Sequence, residues 1–388
     1  MSAAPAPFRY PATGAVWSGG GCLDRLGDAL DEIGATRCLA VVTPSAARDA
    51  ALVERLGAAA GGRLSAVFSD VRPHTPYDAV LAAADAGSRE QVDAVVSLGG
   101  GSAIDTARIA ALCLGEQVGD AAELHELRVV VHPDGPSFPV HGAGALRHVA
   151  IPTTLSAAEF SDGGAATCPW TGRKELFAGP ALACAGVLLD PALATRTPAA
   201  TWAMTGMRAL DHAVETFLSP RSSLLVGEAS RSAIVLLRDC LTDALATPGD
   251  ESVRGRGQAA AWLSYLGISA GTLGLSHAVG HQLGAALGIP HGVASCVVLP
   301  DAIRFVAPVV PREVKELARA LGTGDAAGAI EELVRRLGLP RRLRELGIES
   351  IDVDRIADAV LDDPLVLGTP GGPPARGDLA TLLESLVG

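Results

Sequence analysis

The sequence predicts two domains: an N-terminal α/β domain with a parallel Rossmann-like sheet, and an all-helical C-terminal domain. The chain has 388 residues, more than one hydrophobic core usually supports. In the first half, strand-length apolar runs alternate with helical patterns, which is typical of parallel strands joined by crossover helices. After Asp190-Pro191 the strand-like runs stop. We therefore place the two domains at residues 1–190 and 191–388.

Short runs rich in Val, Leu and Ala mark the predicted strands of the first domain, and amphipathic stretches mark its helices. The strands are expected at 15–17, 38–42, 64–68, 94–98, 149–152 and 185–189. The helices are expected at 23–33, 46–56, 77–86 and 104–114. The carboxyl ends of parallel strands are where ligands of such domains collect.

The second domain shows helical period throughout its first hundred residues. Helices are expected at 202–218, 227–245, 257–273 and 276–287. Residues 369–374 (TPGGPP) form a predicted loop before a last short helix at 377–386.

Composition narrows the class of protein. The formal net charge of −12 argues against nucleic acid as the main partner, since phosphate binding needs a basic face. The seven cysteines are scattered without a CxxC pair, which indicates reduced thiols in a reducing compartment. Residues 1–14 lack the pattern of a secretory signal, and no apolar run reaches membrane-spanning length. We expect a soluble, cytoplasmic protein without a membrane partner.

Two motifs follow predicted strands of the first domain. The run Gly99-Gly100-Gly101-Ser102 joins a buried strand to a helix. Glycines let a ligand approach the backbone, and the free N–H groups that begin a helix favour a diphosphate. Thr153 and Thr154 follow another strand and offer hydroxyl and backbone donors. A tight strand-to-helix turn without a ligand remains the alternative.

Four of the nine histidines fall in three short C-terminal windows: His212, His277, His281 and His291. His277 and His281 are four residues apart, as are Arg208 and His212, so each pair shares one helix face. Two histidines on one face are a common metal-ligand arrangement. The alternative is that these are hydrogen-bonded histidines of the core or the surface that bind no ligand.

Taken in order, these motifs resemble the iron-containing (group III) alcohol dehydrogenase superfamily from about residue 14 to the C-terminus. The resemblance implies a dehydroquinate synthase-like fold, with the active site in the cleft between the domains, and a homodimer. It implies that Gly100, Gly101 and Ser102 hold the diphosphate of NADH or NADPH. By the same resemblance the other cofactor contacts are Thr43 at the adenosine, and Asp105, Thr153, Thr154 and Lys174 at the nicotinamide or ribose.

Metal-dependent members hold iron or zinc with an Asp and three His. His212, His277 and His291 match the histidine positions, but Arg208 stands at the Asp position. A guanidinium is a permanent cation and cannot ligate a metal, and Asp211 should point about 100° away from His212 around the helix. We therefore expect no catalytic metal. The metal-free maleylacetate reductase branch is similar in this respect.

Two further details fit that branch, namely His74-Thr75-Pro76 after the third strand and the Pro-rich loop at 369–374. Two details depart from it. The branch usually has a small neutral amide where Arg208 stands, and its Tyr-Ala-Gly-Ser-Glu run reads Leu155-Ser156-Ala157-Ala158-Glu159 here.

The predicted activity is reduction of a small anionic carbonyl or enoyl compound by NADH or NADPH. Arg208 would stabilise the negative charge that grows on the substrate oxygen, or clamp a substrate carboxylate. His277 or His281 would donate the proton. His212, His291 and, from the first domain, His74 complete the candidate catalytic set.

Several alternatives remain open at this point. They are a metal-dependent alcohol dehydrogenase, a non-redox lyase or cyclase on the same fold, and a catalytically inactive binding protein. Arg208 could instead form a salt bridge to Asp211 or Glu215. The sequence indicates no preference between NADH and NADPH. No acidic residue follows the second strand at Thr43-Pro44-Ser45, and Arg48 lies nearby.

Overall fold

A computed structural model describes residues 13–132, 135–139, 144–268 and 272–388. Within these residues the chain forms two compact units, one ending at Arg196 and the other beginning at Thr197.

The first unit is built on a six-stranded parallel sheet, which confirms the predicted fold class. Its strands are β1 Ala15–Ser18, β2 Cys38–Val42, β3 Leu64–Phe68, β4 Ala94–Gly99, β7 Arg147–Pro152 and β10 Gly186–Leu189. They pair in the order β1-β10-β7-β4-β2-β3. Both faces are covered, because alternate residues of β2 enter different cores. Leu39 and Val41 pack on one side, and Cys38, Ala40 and Val42 pack on the other.

Helices connect or follow these strands. They are α1 Leu26–Glu32, α2 Pro44–Ala47, α3 Ala50–Ala59, α4 Tyr77–Arg89, α5 Gly101–Glu116, α6 Ala121–Glu126 and α7 Pro191–Ala194. The single helix predicted at 46–56 is wrong, because Asp49 interrupts it. The Asp49 carboxylate accepts the Leu52 N–H at 3.1 Å and so begins a second helix. The stretch predicted at 23–33 likewise begins as a 3₁₀ turn, Cys22–Arg25.

Two antiparallel hairpins were not predicted. One pairs β5 Val130–His132 with β6 Gly135–Ser137, and the other pairs β8 Gly163–Thr167 with β9 Lys174–Ala178. The strand β8 reads Gly-Gly-Ala-Ala-Thr and lacks the large β-branched residues by which strands are recognised. Small residues are needed there, because a Cβ on Gly163 would lie 3.0 Å from the Phe177 carbonyl oxygen.

The described residues of the second unit contain helices and no strand, as predicted. The helices are α8 Ala199–Leu218, α9 Leu224–Ala246, α10 Glu251–Tyr265, α11 Leu275–Leu287, α12 His291–Val306, α13 Pro311–Ala320, α14 Ala326–Arg336, α15 Val353–Leu361 and α16 Arg376–Ser385. None of the helices in the described part of the chain is long and apolar enough to cross a membrane.

The helix predicted at 257–273 ends early, at Tyr265, so its C-terminal part is wrong; residues 269–271 lie outside the described part. Close packing explains the early end. A Cβ on Gly267 would lie 2.2 Å from the Thr216 Cγ2. The Thr272 hydroxyl donates to the Gly267 carbonyl oxygen at 2.8 Å and lies 2.8 Å from the Thr216 hydroxyl. These contacts hold Gly267 and Thr272 against α8.

Candidate functional site

In the first unit, the carboxyl ends of three neighbouring strands bring the predicted cofactor residues together. The strands β2, β4 and β7 are adjacent, so Thr43, Gly99 and Thr153 lie at one edge of the sheet. The Thr43 N–H donates to the Leu98 carbonyl oxygen at 3.2 Å, and the Thr153 N–H donates to the Gly99 carbonyl oxygen at 2.9 Å. We call this edge the glycine corner, defined by Thr43, Gly99, Gly100, Gly101, Ser102, Thr153, Thr154 and Ser156.

Glycine is required in this corner by the threonines that pack on it. Gly99 has a φ of +154°, and a Cβ there would lie 2.4 Å from the Thr43 Cγ2. A Cβ on Gly100 would lie 2.9 Å from the Thr154 Cγ2. The backbone therefore approaches the threonines more closely than any larger residue allows.

The same corner holds unused hydrogen-bonding capacity. The 16-residue helix α5 begins at Gly101, and its N-cap residue Gly100 supplies no side-chain cap. The hydroxyls of Thr154 and Ser156 are buried and have no hydrogen-bond partner among the described residues. They lie 3.1 and 3.4 Å from the Cβ positions that Gly100 and Gly101 would have. Free N–H groups and two buried hydroxyls at a helix N-terminus fit a diphosphate.

Ser156 was not predicted as a site residue. A serine four residues beyond a strand has no distinctive pattern, and its role depends on how the chain folds back against Gly101. Ser102 is the second residue of α5.

Lys174, Asp105 and His74 lie close enough to interact electrostatically. Burial raises the pKa of the Asp105 carboxyl, while Arg108 and Lys174 oppose that shift. Partial burial and then the charge of Lys174 lower the pKa of His74. The His74 carbonyl oxygen accepts the Thr167 hydroxyl at 2.7 Å.

Asp105 also faces Arg108, whose Nη1 lies 3.2 Å from its Oδ1. The structure thus brings together three residues predicted from different segments of the first domain. Their roles stay predictions.

In the second unit, the four predicted histidines form one connected cluster. His212 on α8 stacks on His277 of α11, with ring centroids 5.0 Å apart. The His277 and His281 rings are 6.5 Å apart, and the His281 and His291 rings are 5.6 Å apart. We call these four residues the histidine cluster. Tyr265 closes one end, with its ring 6.0 Å from that of His212.

Glu215 fixes the orientation of His277. Its carboxylate lies 2.6 Å from the His277 Nδ1 and accepts the backbone N–H groups of Gly274 and Ser276 at 2.9 and 2.6 Å. The His277 Nε2 is buried without a hydrogen-bond partner among the described residues. Burial, and then the charges of Arg208 and His281, hold the pKa of His277 well below its usual value. His277 is therefore neutral at pH 7.

Arg208 lies beside this cluster with 15% of its side chain exposed. Its Nη1 is buried without a hydrogen-bond partner in the described chain. The alternative salt bridge exists only as a loose ion pair, because Nη1 lies 3.9 Å from the Asp211 Oδ2. Burial lowers the pKa of Arg208, and the carboxylates of Asp211 and Glu215 oppose that shift.

Asp211 makes more hydrogen bonds than the Nη1 of Arg208 does. Its Oδ2 accepts the hydroxyls of Ser276 and Ser295 at 3.1 and 2.7 Å. Its Oδ1 lies 3.6 Å from the His277 Nδ1. Its position on α8 suggested that Asp211 would lie away from the histidine cluster. It does not, because α11 places His277 within reach of both Asp211 and His212. Burial and the neighbouring Glu215 raise the pKa of Asp211.

His281 has a partner that the sequence did not indicate. The Asp363 Oδ2 lies 3.3 Å from the His281 Nδ1 and accepts the Gln282 amide at 3.1 Å. Burial alone would raise the pKa of Asp363, but the His281 contact and the other hydrogen bonds lower it. With 37% of its side chain exposed, His281 is the more accessible of the two predicted proton donors.

Donor atoms of Asp211, Glu215 and His277 lie within 4.8 Å of one another, a spacing that a metal ion could bridge. These donors differ from the three histidine positions implied by the resemblance. The Glu215 carboxylate, the Asp211 Oδ2 and the His277 Nδ1 already make hydrogen bonds, whereas the Asp211 Oδ1 and the His277 Nε2 have no partner among the described residues.

Comparison with known proteins agrees with this geometry. Residues 13–191 match the sequence model described as iron-containing alcohol dehydrogenase. Residues 202–387 match the C-terminal model of the Fe-containing alcohol dehydrogenase family.

Among curated proteins, the chain is 31% identical to the probable alcohol dehydrogenase EutG of Escherichia coli (strain K12), over 72% of this chain and 69% of that protein. It is 28% identical to the maleylacetate reductase of Pseudomonas sp. (strain P51), over 90% of each chain.

Among solved structures, the sulfoacetaldehyde reductase from Bifidobacterium kashiwanohense in complex with NAD+ superposes with a TM-score of 0.85. It covers 99% of each chain at 26% identity. The fold and the paired family matches confirm the resemblance read from the motifs, and with it an oxidoreductase activity. The chain belongs to the iron-containing alcohol dehydrogenase family.

Proposed function

We propose that the chain is a metal-independent reductase that uses NADH or NADPH to reduce a small anionic carbonyl or enoyl compound. The name of its maleylacetate reductase relatives states the reduction of one such anion. One observation carries the proposal: a mostly buried guanidinium, with an unused donor, stands beside the histidine cluster.

The glycine corner fits the cofactor. Thr154 and Ser156 offer two buried hydroxyls beside the uncapped start of α5, which is the donor set a diphosphate needs. A bound nicotinamide would supply the hydride. The other residues proposed to hold the cofactor are Thr43, Gly99, Gly100, Gly101, Ser102, Asp105, Thr153 and Lys174.

The residues beside Arg208 do not fit a divalent metal. An ion held by His212, His277 and His291 would meet the guanidinium that stands in place of the family's fourth ligand. At about 4 Å, two like charges repel by roughly 4 kcal/mol per unit charge at an effective dielectric near 20. The Glu215 carboxylate and the Asp211 Oδ2 already accept hydrogen bonds, so among the described carboxylates here only the Asp211 Oδ1, which has no partner in the described chain, could offset this repulsion without losing a hydrogen bond.

Arg208 would act on charge that develops during the reaction. Hydride addition to a carbonyl or conjugated enone places negative charge on the substrate oxygen. A fixed cation in a poorly solvated site stabilises that charge without reorganising, so it favours the transition state over the ground state. The same donor pattern also suits a substrate carboxylate, which is why an anionic substrate is proposed.

Proton delivery is assigned to His281. His277 is neutral at pH 7 and donates its Nδ1 proton to Glu215, so its Nε2 is an acceptor. The His281 Nδ1 lies 3.3 Å from the carboxylate of Asp363, and the ring is partly open to solvent, so His281 is oriented by Asp363 and can exchange a proton with water. His212 and His291 would shape the pocket around the substrate, and His74 stays a predicted contributor.

Metal content and activity test the proposal together. The purified protein is dialysed against a chelator, its iron and zinc are measured, and oxidation of NADH and NADPH is followed with maleylacetate and short α-keto acids. Full turnover without metal is expected. Turnover that disappears with the chelator and returns with Fe²⁺ or Zn²⁺ would instead establish a metal-dependent alcohol dehydrogenase, for which Asp211, Glu215 and His277 are the candidate ligands.

The variant Arg208→Asp provides a matched control, because it restores the family's fourth ligand type. It should lose metal-free activity and gain affinity for Zn²⁺, while Arg208→Gln should lose activity and gain none. A homodimer and a cytoplasmic location remain proposals from the family resemblance, and sedimentation of the full chain tests the first.

A further inference from the structure

A second group of metal-ligating side chains lies in the first unit and shares no residue with the glycine corner. His125 comes from α6, Cys168 follows β8, and Glu175 lies in β9. The His125 Nδ1, the Cys168 Sγ and a Glu175 carboxylate oxygen all lie within 4.8 Å of one another. Three elements therefore bring three different donor types to one point.

The group lies just below the surface. Cys168 is fully buried, whereas 21% of the His125 side chain and 13% of the Glu175 side chain remain exposed. A cation could enter from the His125 side and lose most of its water inside. Weak hydration inside the site strengthens the attraction between a cation and the carboxylate.

We propose that His125, Cys168 and Glu175 bind a divalent cation of the Zn²⁺ class. Thiolate, imidazole and carboxylate together are the ligands that Zn²⁺ and Co²⁺ take, while Mg²⁺ and Ca²⁺ prefer oxygen alone. Three protein ligands leave one position open for water. Binding would replace the Cys168 S–H bond with an S–metal bond and release one proton.

Tyr77 supports this assignment because it contacts one of the three proposed ligands, Glu175. It is buried, and its hydroxyl donates to the same Glu175 oxygen, Oε2, that lies 2.9 Å from the His125 Nδ1. Burial and this bond raise the pKa of Tyr77 above its usual value, so it remains a donor. A hydrogen bond of this kind orients a ligating carboxylate.

A hydrogen-bonded His125–Glu175–Tyr77 network without metal is the competing explanation. It gives no role to the thiol that completes the group. Cys184 shows the contrast: it is also fully buried and lies 3.5 Å from the His148 Nδ1, but its other neighbour is the Arg108 guanidinium at 3.5 Å. A cation would be repelled there, so Cys184 is a matched control.

Arg128 does not block the proposed site as Arg208 blocks the histidine cluster. Its Nη1 donates to the backbone carbonyl oxygen of His125 at 2.6 Å and to none of the three proposed ligand atoms, although its charge reaches Tyr77. Arg128 is only partly buried, so water screens its charge.

Titration of the full-length chain with Co²⁺ tests the proposal with two readouts. A thiolate-to-Co²⁺ charge-transfer band reports a cysteine ligand. Quenching of Trp170 reports the location, because its ring is 5.2 Å from that of His125 and 54% of the residue is exposed. We expect one Co²⁺ per chain with the band, displacement by Zn²⁺, and quenching that Trp170→Phe removes.

Variants locate the ligands. Cys168→Ser should abolish the band, His125→Gln should weaken binding strongly, and Tyr77→Phe should weaken it about 10- to 100-fold. Cys184→Ser, and Cys296→Ser for the thiol near Asp211, should leave the band unchanged. If Cys168→Ser does not fold, His125→Gln carries the test. The proposal fails if the unmodified chain gives no band at saturating Co²⁺, if the band persists in Cys168→Ser, or if His125→Gln binds Co²⁺ as tightly as the unmodified chain.

Discussion

Buried polar atoms without a hydrogen-bond partner among the described residues occur both in the glycine corner and at the histidine cluster, but they differ in kind. In the corner they are the hydroxyls of Thr154 and Ser156. At the cluster they are the His277 Nε2 and, on the neighbouring Arg208, the cationic Nη1, and burial shifts the pKa of both residues. The corner is thus suited to hold a charged ligand with neutral donors, and the cluster to act on charge that forms during a reaction. Substitutions should affect binding in the first region and turnover in the second.

Removing the charge of Arg208 should have the largest effect. Arg208→Gln should lower kcat by about 10²- to 10³-fold, the usual cost of losing one group that stabilises an oxyanion, while the Kd for NADH stays within a factor of two or so. Arg208→Lys should recover part of the loss, since it keeps the charge without the planar donors. Steady-state kinetics and cofactor titration check both. Equal losses in kcat and NADH affinity would remove the distinction between the two regions.

Glu159 is a buried carboxyl of the first unit, and it gives the next largest effect. Burial raises the pKa of Glu159 from 4.5 to about 7. Because the folded-state pKa is the higher one, the folded protein is favoured while the group is protonated, and this stability is lost as pH rises toward and past 7.

Glu159→Gln should therefore gain stability over the unmodified chain at pH 8, by up to about 3 kcal/mol. The gain should shrink as pH falls toward 5. Urea unfolding at pH 5.5, 7 and 8.5 measures this difference. A difference that stays constant across these pH values would mean that Glu159 does not titrate in this range.

The His281–Asp363 pair should have a smaller effect, but a diagnostic one. His281→Gln should lower kcat by roughly 100-fold, in the range for loss of a general acid. Asp363→Asn removes the carboxylate beside the His281 Nδ1 and should lower kcat by a smaller factor, because the ring itself remains. Steady-state kinetics of both variants and of His277→Gln measure these effects. A larger loss of kcat in His277→Gln than in His281→Gln would reverse the assignment of the proton donor.

The parts that could be read from the sequence depend on local pattern. β2 and β3 were predicted with their observed bounds because apolar runs between polar turns are recognisable by themselves. His277 and His281 could be paired because their spacing places them on one helix face, and the resemblance to a known family joined His212 and His291 to them. Asp363, by contrast, lies 82 residues from His281, and Ser156 gains its role only by folding against Gly101. The early end of α10 depends on the contact between Gly267 and Thr216. Long-range packing of this kind leaves no periodic signal.

The smallest expected effect concerns the stability of the glycine corner, and it separates the two regions most clearly. The sign of the change in stability should depend on whether the cofactor is bound. Thr154→Val removes a buried hydroxyl that has no partner within the described chain. An unpaired buried hydroxyl costs about 1–3 kcal/mol, and its removal leaves no other group unpaired. The free protein should therefore be as stable as the parent or slightly more stable.

The same variant should bind NADH and NADPH about tenfold more weakly, since a hydrogen bond to a charged phosphate contributes roughly 1.5–3 kcal/mol. Ser156→Ala should behave alike. Thr43→Val is the control, because the Thr43 hydroxyl already accepts the Ala46 N–H, so its loss should lower stability whether or not the cofactor is present. Thermal unfolding with and without NADH measures both quantities. If Thr154→Val destabilises the free protein as Thr43→Val does, the hydroxyl supports the fold and the corner is an ordinary strand-to-helix turn.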